Sequence, residues 1–187
     1  MKGKYKLESV TWEITTACNL RCGHCGSACT TAQPDELDTR EALALVDDLM
    51  KLSPRELIIT GGEPFMRKDW LEIVRRIACY DTRFRIITNG TLITPDIARW
   101  LADTHVEAVG VSLDGTCELH NTIRNAHCYE TCMQALKTLK EAGIPTCVNT
   151  TLMKCNLNDL PRMKRILQEA KCVPCAGISG QADAVFL

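Results

Sequence analysis

Short apolar runs alternate with amphipathic stretches along nearly the whole chain, and this alternation restricts the fold more than any other feature. Val10-Thr11-Trp12-Glu13-Ile14-Thr15 has the two-residue period of a strand. Thr39 to Leu52 carries Leu45, Leu49 and Leu52 at helical spacing, with Asp38 placed to cap it and Glu41 three residues on. Leu57-Ile58-Ile59-Thr60 is a buried-type strand that stops at Gly61-Gly62, and Asp69 is a candidate cap for a helix with Leu71, Val74 and Ile77. Phe84 to Thr88 predicts a third strand ended by Asn89-Gly90. Thr94-Pro95 then opens a helix, with proline at the first helical position. Val106 to Leu113 predicts a fourth strand, Cys128 to Ala142 a helix closed by Gly143, and Thr146 to Asn149 a fifth strand. A helix starting at Asn158 follows, and the last strand, near Ala176 to Gly180, is indistinct.

Strands separated by helices, with short connections, predict an α/β fold with a parallel sheet and right-handed crossovers. In such sheets ligands gather at the C-terminal ends of the strands. The chemically unusual residues fall there: Cys18 to Cys25 after the first strand, Gly61 to Pro64 after the second, Asn89 after the third, Ser112 and Asp114 at the fourth. No repeat, low-complexity segment or linker divides the chain, so residues 1–187 are expected to form a single domain.

A formal net charge of −1 gives no single-sign field of the kind that draws nucleic acid or an anionic membrane. The basic start from Met1 to Lys6 leads into no apolar core of a signal peptide, and no run approaches the length of a membrane span. The expectation is a cytoplasmic protein. Twelve cysteines among 187 residues are the compositional outlier. A disulfide framework belongs to small secreted chains, whereas clustered thiols in a reducing compartment point to metal or catalysis.

The loop Cys18-Asn19-Leu20-Arg21-Cys22-Gly23-His24-Cys25 places three thiols within eight residues. Thiolates hold iron–sulfur clusters, and three local ligands on a four-iron cubane leave one iron open. A zinc site is the competing interpretation, with His24 or Cys29 as fourth ligand. Gly61-Gly62-Glu63-Pro64 supplies two glycines that let backbone approach a ligand and a carboxylate that only accepts hydrogen bonds when ionised.

With these motifs in this order, the chain resembles the radical S-adenosylmethionine superfamily, from Val10 to about Asn149. The resemblance implies a partial (β/α)6 TIM-like barrel, a [4Fe–4S] cluster on Cys18, Cys22 and Cys25, and S-adenosylmethionine on the open iron. It implies reductive cleavage of that cofactor to a 5′-deoxyadenosyl radical that takes hydrogen from a peptide or small molecule, with a reductant such as flavodoxin or ferredoxin. By the same resemblance His24 contacts adenine, and Gly61, Gly62, Glu63 and Pro64 receive the amino group. Ser112 meets the ribose or carboxylate, Asp114 could accept from ribose hydroxyls, and Arg124 pairs with the methionine carboxylate. Asn89 and Asn149, at strand ends, are further candidates whose alternative role is turn formation. The competing readings are a shortened, non-catalytic cluster-binding partner subunit and a structural zinc protein.

Cys128 and Cys132, four apart on one helical face, could share a site or simply pack. The start of the chain resembles the SPASM and twitch groups, which carry auxiliary iron–sulfur clusters; Cys172 and Cys175 cannot complete such a cluster alone but could join distant cysteines. Those auxiliary ligands usually lie in a C-terminal extension, and the expectation for residues 1–187 is a minimal or shortened core without one.

Overall fold

Strand order decides the architecture. The computed structural model describes residues 6–169, and five parallel strands lie in it in the order in which the chain makes them, β1-β2-β3-β4-β5. They are β1 (Ser9–Glu13), β2 (Glu56–Thr60), β3 (Arg83–Thr88), β4 (Ala108–Ser112) and β5 (Thr146–Asn149). A doubly wound sheet reverses its order partway. A sequential order with right-handed crossovers carries every helix to one face and curls the sheet toward a barrel. The α/β parallel arrangement expected from the sequence is the one observed. The sixth strand expected near Ala176 to Gly180, and Cys172 and Cys175, lie outside the described residues.

The crossovers carry α1 (Thr39–Lys51), α2 (Trp70–Ala78), α3 (Pro95–Ala102), α4 (Cys117–Arg124) and α5 (Tyr129–Glu141), and α6 (Leu160–Glu169) follows β5. Alternate strand residues Leu57, Ile59, Phe84, Ile86, Val109 and Val111 are no more than 2% exposed and meet Val46, Ile73, Ile77, Leu101, Leu136 and Leu139 of the helices. Full burial of each such side chain contributes about 1.5–3 kcal/mol. The opposite face carries Ile58, Arg85, Ile87, Ser112, Cys147 and Asn149, all only half-buried. That face is the concave, less apolar side of the partial barrel.

Helix starts follow local chemistry in two cases and not in a third. Asp38 accepts from the Glu41 N–H while Glu41 accepts from the Asp38 N–H, a complete capping box, and Thr94 accepts from the Ile97 N–H ahead of Pro95. Asp69 precedes α2 but makes no cap bond. Its two oxygens accept instead from Arg67 at 2.7 and 3.0 Å. Arg67 is itself buried, with its other nitrogens on the Ile14 and Leu37 carbonyls, and a buried guanidinium takes the nearest carboxylate in preference to a cap. Helix α4 was not expected from the periodicity. It has eight residues, few of them apolar, and closes on Asn125 in the left-handed conformation. This short helix carries His120 and Arg124.

Candidate functional site

The cysteine loop leaves the C-terminal end of β1 and is fixed along its whole length. Ile14 N–H continues the β1–β2 ladder onto the Thr60 carbonyl, Ala17 bridges Thr30, and the Cys18 N–H donates to the Thr30 carbonyl at 3.1 Å. Glu36 gathers the loop's entrance, accepting from the Thr16 N–H and from the hydroxyls of Thr15 and Thr16. Arg21 Nη1 donates to the carbonyls of Cys18 and Leu20, and the Gly23 N–H reaches across to the Ile123 carbonyl of α4.

Within this frame the three thiols lie together at the loop surface, Cys18 and Cys22 half-buried and Cys25 exposed. Cys18 Sγ accepts from the Leu20 N–H at 3.4 Å and faces Asn89 Nδ2 at 4.0 Å. Cys22 Sγ accepts from Arg124 Nη1 at 3.8 Å. Burial pushes the Cys22 thiol up, Arg124 works against this by charge and hydrogen bond, and the neighbouring Cys18 and Cys25 add to the rise. Among the described residues, the one set of His, Cys, Asp or Glu ligand atoms mutually within 4.8 Å is His120, Cys128 and Cys132, not the loop trio. Sulfurs around a single tetrahedral zinc sit about 2.3 Å from it, hence within ~4 Å of one another. In a multi-iron centre each thiolate takes its own iron, so that close spacing is not required of the loop trio. Cys29, the proposed spare zinc ligand, is buried, and burial pushes its thiol up to about 11.

The paired glycines are explained by the protein itself. A Cβ on Gly61 would stand 2.5 Å from the Thr15 carbonyl oxygen. One on Gly62 would stand 2.3 Å from that of Ala17 and 2.9 Å from Cys18 Cβ. The Gly62 and Glu63 N–H groups donate to those two carbonyls at 2.7 and 2.8 Å. The close approach expected toward a ligand is, in this chain, an approach to the cysteine loop, and it is what seats Cys18 over β2.

Three of the expected cofactor contacts have different partners in the folded chain. Glu63 is completely buried; Thr88 Oγ1 and the Phe65 N–H donate to one oxygen and the Asn89 N–H to the other. Its carboxylate ties the turn beginning at Pro64 to the end of β3 instead of opening toward an ammonium. Asp114, also completely buried, accepts from Arg124 Nε at 2.7 Å on one oxygen and from the Thr151 N–H at 2.9 Å on the other. Each oxygen thus already accepts one hydrogen bond from the protein. Arg124, 9% exposed, donates from Nε to Asp114 and from Nη1 to Cys22. Charges removed from water pair with each other first, and the sequence did not show that these two would be buried together.

Burial outweighs the three donors around Glu63 and raises its carboxyl from 4.5 to about 7. Between those values the native state keeps a proton that the unfolded state has released, so stability falls as pH rises through this window. A loss on the order of 2–3 kcal/mol between pH 4.5 and 7 is expected from this group. Urea midpoints of wild type and Glu63→Gln across that range measure it, and equal slopes for the two proteins would contradict it.

His24 lies between the cysteines and Asp114, with Nε2 3.5 Å from Asp114 Oδ2 and Nδ1 buried without a hydrogen-bond partner. Burial lowers its pKa, Asp114 opposes this and Arg124 reinforces it. A neutral ring with Nε2–H toward the carboxylate leaves Nδ1 as a bare acceptor, suited to a ligand that carries N–H groups. Ser112 and Asn149 lie side by side in register at the ends of β4 and β5 on the half-open concave face, as the sequence suggested. Asn89 is 6% exposed, donates from Nδ2 to Asn19 Oδ1 at 2.9 Å and accepts from Thr91 on Oδ1, so it is both turn former and loop brace.

Sequence reasoning missed the layer beneath. His120 Nδ1 accepts from the Asp114 N–H at 3.1 Å, and Asn156 Nδ2 donates to the Asp114 carbonyl at 2.9 Å. His120 is pushed down to about 4, chiefly by burial, and is neutral. With Nδ1 accepting, the proton is on Nε2, directed at Cys128 Sγ (3.3 Å) and Cys132 Sγ (3.7 Å). Cys132 in turn donates to the Asn89 carbonyl at 3.1 Å, and burial holds its thiol up at about 12. This trio is therefore a hydrogen-bonded chain, because a metal on Nε2 would require the proton that the Asp114 N–H forces onto that atom. The usable signal was the four-residue spacing of His120 and Arg124, which aligns them on one face of any helix through them.

The chain matches the sequence profile of the Radical SAM superfamily over residues 12–167. It is 35% identical over 167 residues to an AdoMet-dependent heme synthase of Methanosarcina barkeri, covering 88% of this chain and 48% of that protein. It is 38% identical over 135 residues to the mycofactocin maturase MftC of Mycobacterium tuberculosis, covering 72% and 34%. The chain spans about half the length of such curated relatives, or less. Its fold is that of Streptococcus suis SuiB bound to S-adenosylmethionine, with a TM-score of 0.79 at 18% identity over 94% of this chain and 42% of that one. It is also that of anSMEcpe with bound AdoMet and a peptide, with a TM-score of 0.73 at 18% identity over 89% and 49%.

Proposed function

This chain belongs to the radical S-adenosylmethionine superfamily, and from that premise we propose that it holds a [4Fe–4S] cluster on Cys18, Cys22 and Cys25 and cleaves S-adenosylmethionine reductively to act on a peptide. The observation that carries the proposal is the seating of the cysteine loop. Three thiols project from a loop bonded on one side to the Gly61-Gly62 segment and on the other to α4. The bound group would supply one-electron reduction of a sulfonium and a carbon-centred radical.

The protein's own work is positional. The backbone bonds of Thr15 and Ala17 to Gly62 and Glu63 fix where the loop starts, and the bond from Gly23 to Ile123 fixes its far side. Leu20 N–H donates toward Cys18, and Arg124 donates toward Cys22, where its charge and hydrogen bond oppose the rise that burial imposes on that thiol. His24 Nδ1 is the open acceptor for a nucleobase amino group, and the Ser112 and Asn149 side chains are the polar groups left for the rest of the cofactor. Leu20 and Ile14, both buried, help to keep water from the inner side of the loop.

A peptide substrate is supported by two likenesses: a maturase among the relatives, and folds matched in structures that hold a precursor peptide or a peptide with AdoMet. Heme synthases among the relatives make a tetrapyrrole the rival substrate. A flavodoxin or ferredoxin is the proposed electron donor. None of the helices among the described residues is long and apolar enough to cross a membrane.

Anaerobic reconstitution with iron and sulfide is expected to give a brown protein with about four irons per chain. It should form 5′-deoxyadenosine and methionine when S-adenosylmethionine and dithionite are added. A colourless zinc protein would refute the cluster. A loaded cluster that yields no nucleoside would leave only the non-catalytic binding function.

A further inference from the structure

We propose that Arg124 is a positioning residue whose guanidinium, oriented by Asp114, hydrogen-bonds the sulfur of Cys22 and thereby raises the reduction potential of the cluster held there. The inference rests on Cys22 being a cluster ligand and goes beyond it. It assigns to this arginine a role in electron uptake besides the carboxylate contact that the family resemblance implied.

The geometry gives a directed contact. Arg124 Nε is fixed at 2.7 Å on Asp114 Oδ2, and from that anchor Nη1 reaches Cys22 Sγ at 3.8 Å. The anchor cannot swing. Asp114 is fully buried, its second oxygen is held by the Thr151 N–H, its own N–H by His120 and its carbonyl by Asn156. A planar fork keeps its second nitrogen where the first one aims it, whereas a lysine would present one mobile charge. Of the three loop thiols, Cys22 is the one with a cation against its sulfur; Cys18 has a backbone N–H and the Asn89 amide.

The physical effect has a definite sign. On reduction one electron enters the cluster from an external one-electron donor, no covalent bond forms or breaks, and the total charge becomes more negative by one. Hydrogen bonds and positive charge beside a ligand sulfur stabilise that more negative state, and hydrogen bonding to the sulfurs is among the factors that set such potentials. Arg124 is only 9% exposed, so its charge is weakly screened on the protein side of the contact. Loss of the contact therefore makes reduction harder.

The test is an EPR-monitored dithionite titration of the reconstituted cluster, without S-adenosylmethionine, in wild type, Arg124→Gln and Arg124→Lys. Arg124→Gln is expected to shift the equilibrium about tenfold toward the oxidised cluster, ~59 mV for a one-electron couple, at unchanged iron content. Arg124→Lys should recover part of the shift. An Arg124→Gln cluster with full iron and the wild-type potential overturns the proposal. Should that variant not fold, pulsed EPR on the reduced wild-type protein carrying 15N-guanidino arginine decides: a nitrogen coupling to the cluster is expected, and its absence overturns the proposal. Failure of wild type to load any cluster refutes the ligand assignment itself, so the two failures are told apart.

Discussion

Asp114→Ala is expected to be among the most damaging single substitutions in the chain, lowering stability by about 3–5 kcal/mol. Asp114 ties the end of β4 to α4 and to the stretch after β5 through four groups. Its carboxylate holds Arg124 of α4 and the Thr151 N–H after β5, its backbone N–H meets His120, and its carbonyl takes Asn156. His24 of the cysteine loop lies 3.5 Å from the same carboxylate. Truncation leaves a 9%-exposed guanidinium without its counter-charge and a backbone donor without its acceptor. Breaking a buried pair from one side costs far more than the pair contributes, because the remaining charge stays desolvated. A domain of this size has about 5–15 kcal/mol in total, so the variant should be marginal. Urea unfolding of wild type, Asp114→Ala and Asp114→Asn measures this. Asparagine keeps the size and one acceptor and should lose less than alanine does. A midpoint for Asp114→Ala within 1 kcal/mol of wild type, as an order of magnitude, would show that the pair is not a structural hub.

Cys22→Ala should abolish stable cluster binding while leaving the fold intact. Cys22 is half-buried at the surface of its loop, and the loop's backbone bonds do not depend on its side chain. A three-thiolate site reduced to two no longer holds a cubane, so iron after anaerobic reconstitution is expected to fall from about four per chain to near zero. Cys29→Ala and Cys79→Ala are the controls. Cys29 is a buried thiol pushed up to about 11, and exposed Cys79 donates to the Arg75 carbonyl within its own helix. Both controls should retain the full iron content. Iron retained in Cys22→Ala and lost in Cys29→Ala would move the ligand set along the chain and refute the present assignment.

The alternation of apolar runs with amphipathic stretches was enough to predict parallel strands joined by helices, because the side-chain periods of 2 and 3.6 are set locally by the backbone. The cysteine spacing was equally legible, since three thiols within eight residues remain neighbours in any fold. What the sequence left open was the set of partners. Glu63 and Asp114 looked like acceptors facing a ligand. Their acceptance of Thr88, Asn89, Thr151 and Arg124 depends on residues 25 to 37 positions away, or brought round by the unpredicted helix α4. The glycines were rightly read as places of close approach, but only the sheet shows that the approaching chain is Thr15 to Cys18.

The sequence by itself thus determined the period of each element and which three thiols share one loop, both of them local in the chain, and the helices between strands were enough to predict the parallel sense of the sheet. The tertiary structure alone decided which charges are buried together. Whether Arg124 faces solvent, a ligand or Cys22 depends on the desolvation that the packed loops impose, and no local pattern encodes that.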